Sequence, residues 1–125
     1  MNDPRRRTGQ IAEDLVADRL ATEGWEIVER NARTRYGELD IVALDGPILV
    51  FVEVKGARAG TRFGPEKPIL SIDFTKQRKV RRLGTAWIAE RRQFPPFADI
   101  RFDAVGVTLD RDNRPIEVEH IEGAF

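Results

Sequence analysis

A chain of 125 residues with 41% apolar and 34% charged side chains has room for one domain with a single modest core, and too little for two. It has no cysteine and one histidine, which excludes disulfides, zinc-thiolate centres, cysteine nucleophiles and multi-histidine metal sites. Its 21 basic and 21 acidic residues cancel, so net charge alone names no partner.

Charge is polarised along the chain all the same. Lys76, Arg78, Lys79, Arg81, Arg82, Arg91 and Arg92 stand against Glu90 alone, whereas Asp103 to Phe125 holds six acids and two arginines. Arg5, Arg6 and Arg7 are followed by no apolar run, so neither a signal peptide nor a membrane span is expected there. The expectation is a single cytoplasmic domain over 1–125, with no membrane partner and residues 1–7 as a flexible basic arm.

Ile11, Ala12, Leu15, Val16 and Leu20 form an apolar stripe at helical spacing, which predicts a helix over residues 8–23. A first strand is read over Trp25 to Glu29, before an irregular basic stretch with Arg30, Arg33 and Arg35. Glu38 to Leu44 and Ile48 to Lys55 flank Asp45-Gly46-Pro47 and predict a hairpin. Because Pro47 has no N–H to donate to the ladder, the favoured register pairs Leu44 with Leu49 and sets Asp40 opposite Glu53.

Gly56 to Pro68 reads as an exposed loop carrying Arg58 and Arg62. A second helix, capped by Ser71 or Asp73, is predicted to about Arg92 with Val80, Leu83, Gly84, Trp87 and Ile88 on its buried stripe. Pro95-Pro96 ends it, and Ile100 to Thr108 and Pro115 to Ile121 read as closing strands.

The hairpin carries the chemistry. Side chains two apart on a strand share a face, so Glu53 and Lys55 stand together while Val50, Val52 and Val54 turn into the core. Opposed carboxylates about 5 Å apart at Cβ repel unless a cation lies between them. Mg²⁺ or Mn²⁺ suits Asp40, Glu53 and the Val54 backbone carbonyl, with water completing its shell. With Lys55 to orient water or neutralise developing charge, the arrangement suits phosphodiester hydrolysis.

The Asp40…Glu53-x-Lys55 pattern, with Glu13 on the preceding helix, resembles the restriction-endonuclease-like, or PD-(D/E)XK, nuclease superfamily. Gly9, Glu13, Gly24, Arg30-Asn31-x-Arg33, Gly37-Glu38-Leu39-Asp40, Phe51-Val52-Glu53-Val54-Lys55, Phe63-Gly64, Lys76-Gln77-Arg78 and Arg101-Phe102-Asp103 are similar to the YraN-type bacterial proteins. That group in turn resembles archaeal Holliday-junction resolvases. One departure stands out: where members carry a hydroxyl residue and an arginine after the lysine, this chain has Gly56-Ala57-Arg58.

The resemblance implies an α/β fold with a restriction-endonuclease-like core, a mixed β-sheet flanked by α-helices. It implies a metal site at Asp40 and Glu53, a catalytic Lys55, Glu13 near the metal, and DNA, including branched or structured DNA, as substrate. A homodimer is expected from the resolvase likeness. Arg33, Arg35, Arg58, Arg62, Lys76, Arg78 and Lys79 are candidates for phosphate contacts, with Glu38 and Gln77 as accessory residues. The alternative is a non-catalytic module that binds nucleic acid or another partner on the same fold.

Overall fold

The computed structural model describes residues 4–60 and 67–125. The chain runs α1 (Pro4–Thr22), β1 (Glu26–Thr34), β2 (Gly37–Asp45), β3 (Ile48–Arg58), a short 3₁₀ helix (Pro68–Ser71), α2 (Phe74–Glu90), β4 (Asp99–Leu109) and β5 (Pro115–Ile121). The strands form one sheet in the order β1-β2-β3-β4-β5. Only β3 and β4 are parallel, joined through α2, and the other pairs are antiparallel. This is the mixed, helix-flanked α/β sheet that the sequence implies.

Strand alternation divides the core into two layers. Val50, Val52 and Val54 face one way and pack with Ala12, Val16 and Leu20 of α1. Leu49 and Phe51 face the other way, onto Val80, Leu83 and Trp87 of α2. The predicted helical stripes are those that pack on the sheet, with Ile11, Leu15 and Ile88 only partly covered. The α2 cap is Asp73, whose carboxylate accepts the Lys76 N–H at 2.9 Å. An anionic cap of this kind satisfies an otherwise unpaired helix donor.

Three boundaries differ from the sequence reading. α1 starts at Pro4, where proline suits a first helical turn, so Arg5 to Arg7 are helical and not part of a flexible arm. β1 does not stop at Glu29 but runs to Thr34, pairing Arg30 with Ile41 and Ala32 with Leu39. A bulge at Val28 shifts its register, which breaks the alternation by which a strand is recognised. β3 runs past Lys55 to Arg58 because β4 continues alongside it, as far as the Arg58–Leu109 pair. The first residues of the expected Gly56 to Pro68 loop are therefore strand.

The hairpin register is as predicted, with Leu44 on Leu49 and the ladder closing at Asp45 and Ile48, so that Pro47 sits in the turn. None of the described helices is long and apolar enough to cross a membrane.

Candidate active site

The β2–β3 ladder runs inward from the turn and stops at Ile41 and Val52. Beyond that pair β2 stays with β1 as far as Gly37, while β3 stays with β4. The Asp40–Glu53 cross-strand pair expected from the register is thus the point at which the two strands part. In the gap the Asp40 carboxylate takes over the ladder's role: its Oδ2 accepts the Val54 N–H at 2.8 Å. The N–H and C=O of one strand residue point to the same side, so the Val54 carbonyl is directed into the same gap.

Glu53 follows on the α2 face of β3. Its side chain is 8% exposed, and it meets the Lys76 ammonium of α2 at 3.2 Å. Lys55, two residues on, is exposed, and its side chain makes no hydrogen bond or ion pair among the described residues.

Glu13 reaches the same region from α1. Burial pushes its carboxyl up to about 7; Arg30 opposes this, and the charges of Glu38, Glu53 and Asp14 add to it. Asp40 is driven well above the carboxylate range, first by burial and then by Glu53 and Glu13, against the Val54 N–H and Lys76. Glu13, Asp40 and Glu53, from three separate elements, therefore face one another, and burial together with this mutual repulsion raises the carboxyls of Glu13 and Asp40. This is the repulsion that an opposed carboxylate pair implied.

A layer of supporting residues surrounds them. The Asn31 amide, oriented by the two acceptors it faces, donates to Glu13 Oε1 at 3.0 Å and to Glu38 Oε1 at 3.1 Å. Asn31 has a φ of +49°, a conformation that asparagine tolerates better than most residues. Arg30 donates to Asp14 at 2.6 Å and lies beside Glu13. Neither residue was singled out for the site from composition or periodicity. Their only signal was the Arg30-Asn31-x-Arg33 motif.

Gly56 explains how α1 comes so near. A Cβ there would fall 2.7 Å from the Ala12 Cβ, far inside ordinary contact, and 3.1 Å from the Thr8 carbonyl oxygen, a few tenths of an ångström inside it. Only a glycine lets the α1 backbone lie on β3 at this level, and Ala12 is the residue before Glu13. The departure after Lys55 is thus a packing device.

The other predicted contacts divide. Lys79 lies over Gly37, its Cε 3.7 Å from where a Cβ would be, and Arg78 stacks on the Phe74 ring at 5.8 Å. Arg33 and Arg35 sit at the β1–β2 turn, 4.0 Å from Glu38 and 3.9 Å from Glu90 respectively. Arg58 is drawn away from the site into the β4–β5 turn, donating to Asn113 and to the Asp110 carbonyl. Gln77 donates to the Ile72 carbonyl at 3.2 Å, a local role at the start of α2. Arg62 lies outside the described residues.

The oxygen donors available to a cation are Asp40, Glu53 and the Val54 carbonyl, with Glu13 behind them. Among the described residues no three Asp, Glu or His side chains form a cluster ready to hold an ion, so water would complete the shell of any ion bound here.

Comparison with known proteins places the chain. The family model described as "Uncharacterised protein family UPF0102" matches residues 12–107. A UPF0102 protein of Moorella thermoacetica is 43% identical over 125 residues, the full length of both chains. One from Nocardia farcinica is 42% identical over 121 residues, covering 97% of this chain and 91% of its own. One from Thermodesulfovibrio yellowstonii is 39% identical over 122 residues, 97% of each. The matched span takes in Glu13, Asp40, Glu53 and Lys55, and the chain belongs to the UPF0102 family, the YraN-type group whose motifs it carries.

Proposed function

We propose that the protein is a divalent-metal-dependent endonuclease acting on DNA phosphodiesters, branched or otherwise structured DNA among its candidate substrates. The observation that carries this reading is the meeting of Glu13, Asp40 and Glu53, from α1, β2 and β3, beside an exposed Lys55.

The donor set fits Mg²⁺ or Mn²⁺: hard carboxylate and carbonyl oxygens, with no sulfur or imidazole. Asp40, Glu53 and the Val54 carbonyl would hold the ion. Such an ion supplies Lewis-acid charge at a phosphoryl oxygen. Lys55 shares the Glu53 face and projects outward, where its ammonium would orient water or offset charge on the phosphoryl group. The Asn31 amide holds Glu13 by donating to its Oε1, and the Arg30 charge lies nearby. Lys76 neutralises Glu53 meanwhile and would release it when a cation arrives.

One observation favours the second reading, a nucleic-acid-binding module that does not cut. The Lys76–Glu53 ion pair, beside two carboxyls that burial and repulsion push upward, offsets charge in the cluster without a metal. Calorimetric titration with Mn²⁺ separates the two. The endonuclease reading expects about one site per chain, lost in Asp40→Asn, and release of protons as the ion binds. Absence of Mn²⁺ binding in a folded protein that still binds DNA would favour the module.

A further inference from the structure

We propose that Lys76, Lys79 and Arg82 of α2, together with Tyr36 and Arg35 at the β1–β2 turn, form a track that grips the phosphodiester backbone of DNA as it leaves the acidic centre. Tyr36 is the residue that organises its outer end. The inference says how the substrate of the proposed site is held and rests on that reading, but its test requires no cleavage.

Steps of three keep residues on one side of a helix. Lys76, Lys79 and Arg82 are therefore a single ridge, spanning about 9 Å at 1.5 Å per residue. Each touches a defined point. Lys76 meets Glu53 at the acidic centre. Lys79 crosses Gly37, its Cε and Nζ within 3.7–3.9 Å of where a Gly37 Cβ would lie. Arg82 lies 4.0 Å above the centre of the Tyr36 ring. The ridge thus leads outward from the acidic centre, over roughly the axial length of two to three nucleotides at about 3.4 Å each.

The outer end shows an arrangement that packing alone does not require. Tyr36 is 41% exposed, yet two guanidinium groups gather on its ring, Arg82 at 4.0 Å and Arg35 at 4.9 Å. Like charges disperse unless something holds them, and the negative face of an aromatic ring does so. Arg35 has Glu90 at 3.9 Å as a partial counter-ion. Arg82 has no carboxylate partner among the described residues. A fixed concentration of positive charge, continuous with the candidate active site, is complementary to a polyanion and carries no means of reading base sequence.

The test is equilibrium binding of a fluorescein-labelled DNA oligonucleotide to the full chain in chelator, by anisotropy across a salt series. Variants are compared at matched thermal unfolding midpoints. Arg82→Ala is expected to weaken binding on the order of five- to tenfold and to make the log–log salt slope shallower by about 1. Tyr36→Ala should weaken it comparably, whereas Tyr36→Phe, which keeps the ring face, should bind as wild type. Arg111→Ala, on the β4–β5 turn, should change nothing.

The proposal is overturned if wild type shows no salt-sensitive binding, if Arg82→Ala and Tyr36→Ala bind as wild type, or if Arg111→Ala loses as much. Loss in Tyr36→Phe equal to that in Tyr36→Ala would overturn the organising role of the ring. Track-dependent binding without cleavage in Mn²⁺ would sink the endonuclease reading and leave this inference standing.

Discussion

Asp40 and Asp103 are carboxylates of the same sheet, and their surroundings treat them in opposite ways. Asp103 is fully buried yet supplied with donors. Arg101 binds both of its oxygens, at 2.8 and 3.1 Å, His120 contacts it at 2.8 Å, and the Gly123 N–H donates at 3.0 Å. Burial pushes its carboxyl up, but the hydrogen bonds from His120, Arg101 and Gly123 more than offset this and hold it below the ordinary range. Asp40 is pushed up by burial and by Glu53 and Glu13, with only the Val54 N–H and the Lys76 charge to oppose them. Donors make Asp103 a structural anchor; their scarcity at Asp40 is what a cation would remedy.

The consequence for Asp103 has a definite sign. A carboxyl whose folded pKa is depressed stabilises the fold above its unfolded value, about 3.9, and that contribution fades as pH falls through the folded value. Asp103→Asn is expected to cost about 2–3 kcal/mol at neutral pH, because Arg101 loses its closest partner. The loss should shrink towards zero in acid. Urea denaturation at pH 7 and below pH 4 checks both halves; an equal loss at the two pH values would remove the charge from the account. The sequence offered no sign of this role for His120, since its partner lies 17 positions away on another strand.

Among the elements, legibility followed local periodicity. α1, α2 and the hairpin register could be read because their apolar residues recur at 3.6 or 2 and because Pro47 forbids the shorter pairing. β1 was read short because the bulge at Val28 and the left-handed Asn31 interrupt alternation at the point where charged residues begin. Gly56 looked like a loop residue for a similar reason: the close approach of α1 that demands it is a tertiary fact. Gly56→Ala should therefore destabilise by about 1–3 kcal/mol, as overpacking does, and move Glu13 with α1. A denaturant midpoint unchanged from wild type would show that α1 can lift from β3 at no cost.

At the scale of the whole molecule, the sheet gathers the site by letting β2 and β3 part at Asp40 while α1 and α2 close from opposite faces. That Asp40 lies beside Glu53, and Lys55 two residues further along β3, was legible from the hairpin register and strand spacing. The Asn31 link between Glu13 and Glu38, the Lys76–Glu53 pair and the Tyr36 cluster were not, since each depends on which faces meet. Membership of the UPF0102 family spans nearly all of this arrangement.

The proposed chemistry stands or falls on cleavage. The most direct measurement incubates wild type and Glu53→Gln with labelled linear, single-stranded and branched DNAs in Mg²⁺, Mn²⁺ or chelator. The endonuclease reading expects metal-dependent cutting by wild type of at least one of these DNAs, and loss of at least about a hundredfold in Glu53→Gln with the fold intact. Equal cutting by both proteins, or none by either on any substrate, would contradict it.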